Sequence, residues 1–180
     1  MLKLLTKILR PDKGKIETNG KIACLIELGA GFHPDMTGRE NVYINASIFG
    51  IPKKTVDERY DDIVEFAGIG DFMDERIRNY SSGMYLRLAF AVAINVDADI
   101  LLVDEILAVG DIQFQKKCLD RLDEFRKNGG TIVLVTHSVE QAISMCDNVM
   151  WIDQGTIRDY GDPEKVCKNY QMELLGTNSQ

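Results

Sequence analysis

The chain has 180 residues, 45% of them hydrophobic and 27% charged, with a formal net charge of −7. This length and composition fit a folded domain with its own core and exclude a disordered chain. An acidic balance without a long Lys/Arg run argues against nonspecific binding to nucleic-acid phosphates, so we expect no nucleic-acid partner. The four cysteines include no C-x-x-C pair, which argues against zinc, and no apolar run is long enough to span a bilayer.

The first half of the chain shows helical spacing with one strand-like interruption. Apolar residues at helical intervals predict a helix over residues 2–9, ended by Arg10-Pro11-Asp12. The apolar run over residues 22–28 predicts a strand, which Gly29-Ala30-Gly31 breaks. Residues 37–96 are predicted to form a helical block, with breaks at residues 50–52 and 68–70.

The second half changes to an alternating pattern of strands and helices. Residues 100–103 and 131–135 are continuous aliphatic runs, which is typical of parallel strands buried on both faces. An amphipathic helix over residues 113–127 lies between them, so the sequence predicts a βαβ crossover. Residues 149–159 predict a hairpin, and Asp162-Pro163 begins a final helix.

Ser81-Ser82-Gly83 opens the apolar helix that runs on to about residue 96. Exposed amides and the positive end of the helix dipole suit a phosphate, and glycine permits a close approach. A plain serine N-cap is the alternative, and it is favoured for this motif taken alone.

Two acids and a histidine follow predicted strands. Asp104 ends one strand and suits Mg²⁺, bound directly or through water, and Glu105 suits orienting or deprotonating an attacking water. His137 follows the next strand, where open α/β sheets place ligand-binding groups. Each of these has a structural or solvated alternative, and the functional interpretation depends on their order along one α/β unit.

No glycine-rich phosphate loop ending in Lys-Ser or Lys-Thr occurs in the 180 residues. Gly14-Lys15 and Gly20-Lys21 lack both the following hydroxyl residue and the earlier glycine that such a loop requires. The sequence therefore contains residues suited to phosphate hydrolysis but no recognisable loop to bind a triphosphate. It has no Walker A motif.

Together these motifs resemble the ATP-binding cassette (ABC) family over nearly the whole chain. Tyr80-Ser81-Ser82-Gly83-Met84, with Arg87 in register, is similar to the family signature Leu-Ser-Gly-Gly-Gln. Residues 100–105 resemble the Walker B strand, with Asp104 as the Mg²⁺-linked aspartate and Glu105 as the catalytic glutamate.

The remaining motifs of the resemblance flank this strand. Residues 108–111 resemble the D-loop, which ends in Asp111, and His137 resembles the switch histidine that senses the γ-phosphate. Glu27 lies near the Q-loop position, where the family has a glutamine.

The resemblance implies a fold and a division of the chain. The fold is α/β, a P-loop NTPase-like (ABC ATPase) core with a parallel sheet and an inserted helical subdomain, lacking the first strands and the P-loop. Residues 1–34 would be a remnant of the catalytic core with the Q-loop region, and residues 35–96 the helical subdomain with the signature. Residues 97–165 would be catalytic core, and residues 166–180 the C-terminal helix and tail.

The residues of three segments are similar to those of ATPase subunits that export cell-surface polysaccharides, namely O-antigen and teichoic-acid exporters. The segments are Glu27-Leu-Gly-Ala-Gly-Phe-His-Pro34, Tyr80-Ser-Ser-Gly-Met84 and Asp104-Glu-Ile-Leu-Ala-Val-Gly-Asp111. This branch implies ATP and Mg²⁺ as cofactors, a second ABC ATPase domain paired head to tail, and an integral membrane permease. Ser81, Ser82 and Gly83 would then contact a nucleotide held by the partner domain. The implied location is peripheral, on the cytoplasmic face of the cell membrane.

Three functional hypotheses remain open from the sequence. The first is an exporter ATPase whose chain begins just beyond Walker A and does not bind ATP usefully alone. The second is a degenerate, non-catalytic partner that donates its signature motif in trans. The third, ranked last because no sustained heptads occur, is a chromosome-maintenance ABC ATPase.

Overall fold

The computed structural model describes residues 2–6, 8–25, 28–95, 98–104 and 110–177, with the backbone alone for Lys3 and Thr177. In chain order the elements are α1 (Leu2–Leu5), β1 (Ile22–Cys24), α2 (Gly38–Ile48), α3 (Lys53–Ala67), α4 (Ser82–Ile94), β2 (Ile100–Asp104), α5 (Ile112–Lys127), β3 (Thr131–Val135), α6 (Val139–Met145), β4 (Val149–Asp153), β5 (Thr156–Gly161) and α7 (Pro163–Thr177). Short 3-10 turns at Gly70–Phe72 and Ile77–Asn79 connect α3 to α4. The chain divides into two compact units, residues 1–133 and 134–180, and the subdomain boundaries proposed from the sequence stay a prediction.

The helices begin and end at residues that cap them. Thr37 and Glu40 form a reciprocal capping box at the start of α2, in which each side chain accepts from the other residue's backbone N–H. Gly68 ends α3 in the left-handed conformation, with φ of 65°, and its N–H donates to the Val64 carbonyl. Asp162 accepts from the Lys165 N–H at 3.0 Å just before α7. The predicted start of this last helix at Pro163 is therefore confirmed.

Helices α2, α3 and α4 pack around one apolar cluster. Its buried members are Val42, Ala46, Val56, Ile63, Ala67, Ile69, Met73, Ile77, Leu88, Ala91 and Val92. A second contact, formed by the rings of Phe66, Phe90 and Phe114, joins α3, α4 and α5. Because α4 is covered on both sides, every residue from 88 to 94 is buried.

The first three strands form a sheet with the order β1-β2-β3. β1 and β2 are parallel, with Ile22 opposite Ile100, and the Leu25 N–H still donates to the Leu102 carbonyl at 2.8 Å. At the start of β3, the Thr131 N–H donates to the Asp99 carbonyl at 2.9 Å. The central residues of β2 are buried as predicted, whereas β3 is only partly buried.

The second unit is built on the antiparallel hairpin of β4 and β5, which the sequence predicted. Met150 pairs with Tyr160 in this hairpin, and a register irregularity separates Trp151 from Ile152. Trp151 packs edge-on against Tyr170 of α7, with 5.5 Å between the ring centroids. Helix α7 therefore covers one face of the hairpin.

Two predicted elements are shorter than expected. The helix predicted over residues 2–9 ends at Leu5, because Ile8 and Leu9 are 68% and 53% exposed and have no core against which to pack. The strand predicted over residues 22–28 covers Ile22–Cys24, and Leu28 already lies in the turn that leads to Gly29.

Candidate functional site

The first turn of α4 is open to solvent. Ser81 caps this helix, since its hydroxyl oxygen accepts from the Met84 N–H at 3.2 Å. Ser81 and Ser82 are exposed, and a Cβ built on Gly83 would meet nothing closer than Ser81 Oγ at 3.8 Å. Tyr80 precedes the cap and donates to the Phe72 carbonyl at 2.8 Å; burial raises its pKa to about 12, so it stays a donor. A thirteen-residue helix with an uncovered N-terminus can receive an anion.

Arg87, on the second turn of α4, joins this helix to the start of α5. Its Nη2 lies 2.5 Å from Asp111 Oδ2, and its guanidinium lies 5.1 Å from the centre of the Phe114 ring. The other Asp111 oxygen accepts from the Phe114 N–H at 2.9 Å and caps α5. One carboxylate thus holds the signature-like helix and the end of the D-loop-like segment together within the chain.

The predicted acid and histidine residues are described only in part. Asp104 ends β2 and is partly buried, and His137 is exposed and follows β3 in the second unit. Glu105 and Glu27, with residues 106–109, lie outside the described residues. In the described part of the chain, no three His, Cys, Asp or Glu side chains cluster to hold a metal. A single carboxylate such as Asp104 is still compatible with Mg²⁺, which takes one or two carboxylates with phosphate and water oxygens.

Two buried asparagines of α2 hold the loop of residues 28–37, and the sequence analysis missed them. The Asn41 amide nitrogen lies 3.1, 3.2 and 2.8 Å from the carbonyl oxygens of His33, Met36 and Thr37. Its Oδ1 accepts from the His33 N–H at 2.6 Å. Asn45 donates to the Ala30 carbonyl at 2.8 Å. The available sequence signal was a pair of amides four residues apart beside an apolar stripe.

Tyr85 connects α4 to the same loop and was also missed. Its hydroxyl donates to the Gly29 carbonyl at 2.9 Å, and its ring packs edge-on against Phe32 at 5.2 Å between centroids. Gly29 is buried with φ of +78°, and a Cβ there would lie 2.4 Å from the Tyr85 oxygen. No local pattern pointed to a contact between residues 56 positions apart.

Comparison of the sequence with known protein families identifies the class of protein to which this fold and these motifs belong. The family model described as "ABC transporter" matches residues 1–108 of the 180. The chain belongs to the ABC transporter family.

Within this family, the chain is similar to proteins named for the export of O-antigen and teichoic acids. The chain is 51% identical over all 180 residues to the O-antigen export system ATP-binding protein RfbB of Myxococcus xanthus and spans 41% of that protein. It is 44% identical over 173 residues to the protein of the same name from Klebsiella pneumoniae and spans 70% of it. It is 42% identical over 168 residues to the teichoic acids export ATP-binding protein TagH of Levilactobacillus brevis, covering 93% of this chain and 46% of the relative.

A solved structure shows the same fold. The structure titled "Structure of ATP binding subunit of ABC transporter" superposes with a TM-score of 0.81 over 94% of this chain and 75% of that one, at 18% identity. The predicted fold class, an ABC ATPase-like α/β fold with a parallel sheet, is therefore confirmed. Among the described residues, none of the helices combines the length and apolar character that crossing a bilayer requires.

Proposed function

We propose that this chain is part of the ATP-binding subunit of an ABC transporter that exports a cell-surface polysaccharide of the O-antigen or teichoic-acid type. The observation that carries the proposal is the 51% identity over the full 180 residues to a protein named as an O-antigen export ATP-binding protein. A teichoic-acid export relative at 42% identity supports the wider polysaccharide class.

Each site residue has a proposed role in this function. Ser81, Ser82 and Gly83 offer the open N-terminus of α4 to the triphosphate of an ATP bound by a partner domain. Asp104 holds Mg²⁺ directly or through water, Glu105 orients or deprotonates the attacking water, and His137 senses the γ-phosphate.

Two further positions complete the proposed set of nucleotide motifs. Asp111 ends the D-loop and is fixed by Arg87. Glu27 lies near the Q-loop position of the family. The proposed subdomains are residues 1–34, 35–96, 97–165 and 166–180.

The proposed partners are a second ABC ATPase domain, paired head to tail, and an integral membrane permease. We propose that the permease docks at a groove between α2 and α3, which has a volume of about 530 Å³ and is lined by Tyr43, Ser47, Ile51, Lys53, Val56 and Asp57. Docking there would place the chain peripherally on the cytoplasmic face of the membrane.

We further propose that the 180-residue polypeptide alone binds ATP weakly, because its sequence contains no glycine-rich phosphate loop. Charge-assisted hydrogen bonds contribute about 1.5–3 kcal/mol each, so three missing bonds remove about 5 kcal/mol or more. This corresponds to a loss of affinity of about 10³–10⁴-fold. Tight ATP binding to the pure polypeptide in isothermal titration calorimetry would contradict this part of the proposal.

Complementation of a defective relative tests the role of the signature motif. The Klebsiella pneumoniae relative, disabled in its own signature serine, would be mixed with this chain and its ATP hydrolysis measured. We expect this chain to restore hydrolysis by supplying Ser81, Ser82 and Gly83 in trans, as either an exporter subunit or a non-catalytic donor would. If the wild-type chain binds the relative without restoring hydrolysis, the proposed role is wrong.

Gly83→Asp is a sharp variant for this assay. A Cβ at Gly83 would meet nothing closer than 3.8 Å, so we expect the variant to fold, but its carboxylate would repel the triphosphate. Restoration should therefore be lost. Lys13→Ala, at an exposed position far along the chain from α4, is the matched control and should restore hydrolysis fully.

A further inference from the structure

The Gly29 carbonyl accepts two hydrogen bonds from different parts of the chain. The Phe32 N–H donates to it at 2.8 Å within the loop, and the Tyr85 hydroxyl donates at 2.9 Å from α4. Gly29 is buried, and any side chain at this position would overlap the Tyr85 ring. The close approach of the loop to Tyr85 therefore depends on a glycine and a tyrosine together.

Both ends of this link are firmly attached to other elements. The Tyr85 N–H donates to the Ser81 carbonyl at 3.0 Å, so Tyr85 belongs to the same helical turn as the capping serine. On the other side, Asn45 and Asn41 tie the loop to α2. The Tyr85 hydroxyl thus forms a direct hydrogen bond between the loop, which α2 holds, and the first turns of α4.

We infer that Tyr85 is a positioning residue that joins the loop of residues 28–37 to the N-terminus of α4, so that a partner contacting the loop changes the setting of Ser81 and Ser82. The functional consequence rests on the function proposed above, in which those serines contact ATP. The physical link does not, because it requires neither nucleotide nor permease.

Hydrogen exchange of single amides, followed by NMR in the nucleotide-free chain, tests the link. Tyr85→Phe removes one hydroxyl and should speed exchange of the Phe32 N–H by about 3- to 10-fold, the equivalent of one hydrogen bond. Tyr80→Phe is the matched control, since Tyr80 also donates to a backbone carbonyl, that of Phe72. It should leave exchange at Phe32 unchanged. Equal exchange in wild type and Tyr85→Phe, or an equal rise in both variants, would overturn the inference.

A second measurement separates positioning from local packing. Asn45→Ala loosens the loop from the α2 side and, with Tyr85 present, should speed exchange of the Met84 N–H at least about two-fold. In the Tyr85→Phe background the same change should have no effect on Met84. If Asn45→Ala does not fold, Ile48→Ala replaces it, because the exposed Ile48 side chain packs over Gly31. If Asn45→Ala leaves exchange of the Met84 N–H unchanged with Tyr85 present, or changes it equally in both backgrounds, Tyr85 only packs locally and the positioning role is refuted.

Since this experiment uses no ATP, its failure is distinct from a failure of the complementation assay. A chain that shows the link but does not restore hydrolysis keeps the mechanical inference and loses its proposed use. A chain that restores hydrolysis without the link overturns the inference and keeps the proposed function.

Discussion

Asn41 offers the most direct test of how the loop of residues 28–37 is held. The side chain is fully buried, and Asn41→Ala removes every hydrogen bond that its amide makes to the loop. The His33 N–H, which donates to Oδ1 at 2.6 Å, loses its partner at a cost of about 1–3 kcal/mol. The bonds donated by Nδ2 add about 0.5–1.5 kcal/mol each. These contributions sum to about 2.5–7.5 kcal/mol, and because neighbouring bonds are not additive we expect a loss at the low end, about 3 kcal/mol, in the free energy of unfolding.

Urea unfolding followed by far-ultraviolet circular dichroism measures this loss. With an m-value of about 2 kcal/mol/M, the midpoint should fall by about 1.5 M. Asn79→Ala is the matched control, since Asn79 is exposed and its side chain donates one hydrogen bond, of 3.3 Å, to Glu75. It should change stability by less than about 0.5 kcal/mol. The reasoning is refuted if Asn41→Ala costs no more than Asn79→Ala.

Three further predictions follow from single positions. Gly29→Ala should destabilise the chain by at least about 1–2 kcal/mol, because φ is +78° and the new methyl would meet Tyr85; combining it with Tyr85→Ala should recover part of the loss, measured by urea unfolding. The capping-box hydrogen bond from a backbone N–H lowers the pKa of Glu40 below its ordinary 4.5. The wild-type chain should therefore be more stable than Glu40→Gln above about pH 4.5, and this difference in stability should disappear as the pH falls through the lowered pKa. A difference that stays constant down to full protonation would contradict this. Burial raises the pKa of Cys118 to about 12, so iodoacetamide at about pH 8 should modify the half-buried Cys24 and Cys146 first and Cys118 only after unfolding, as read by mass spectrometry.

Local signals in the sequence predicted most elements because their causes are local. The helix over residues 113–127 was found within one residue, since an amphipathic stripe follows the capping Asp111 and ends in Asn128-Gly129. The hairpin and the start of α7 were likewise set by a Gln-Gly turn and by Asp162-Pro163. The helix predicted over residues 2–9 failed because apolar spacing without a surface to pack against does not sustain a helix.

The contacts around the candidate site were harder to predict because they depend on the tertiary fold. Ser81 was singled out by the Ser-Ser-Gly start of its helix and Asp111 by the resemblance of residues 108–111 to the D-loop. Neither showed that Arg87 would bridge α4 to Asp111. The Tyr85–Gly29 hydrogen bond joins two segments that have no shared periodicity. Such pairs become visible only when packing fixes which helix faces which loop.

The single tryptophan has a practical consequence for studying this protein. Trp151 lies in the unit of residues 134–180, where its indole packs on Tyr170. Its intrinsic emission therefore senses the melting of the β4–β5 and α7 region, whereas the bundle of α2, α3 and α4 contains no indole and is silent to the same probe. Unchanged tryptophan fluorescence is therefore compatible with an unfolded bundle. A tryptophan introduced on α2 or α3 would report the unfolding of the bundle directly.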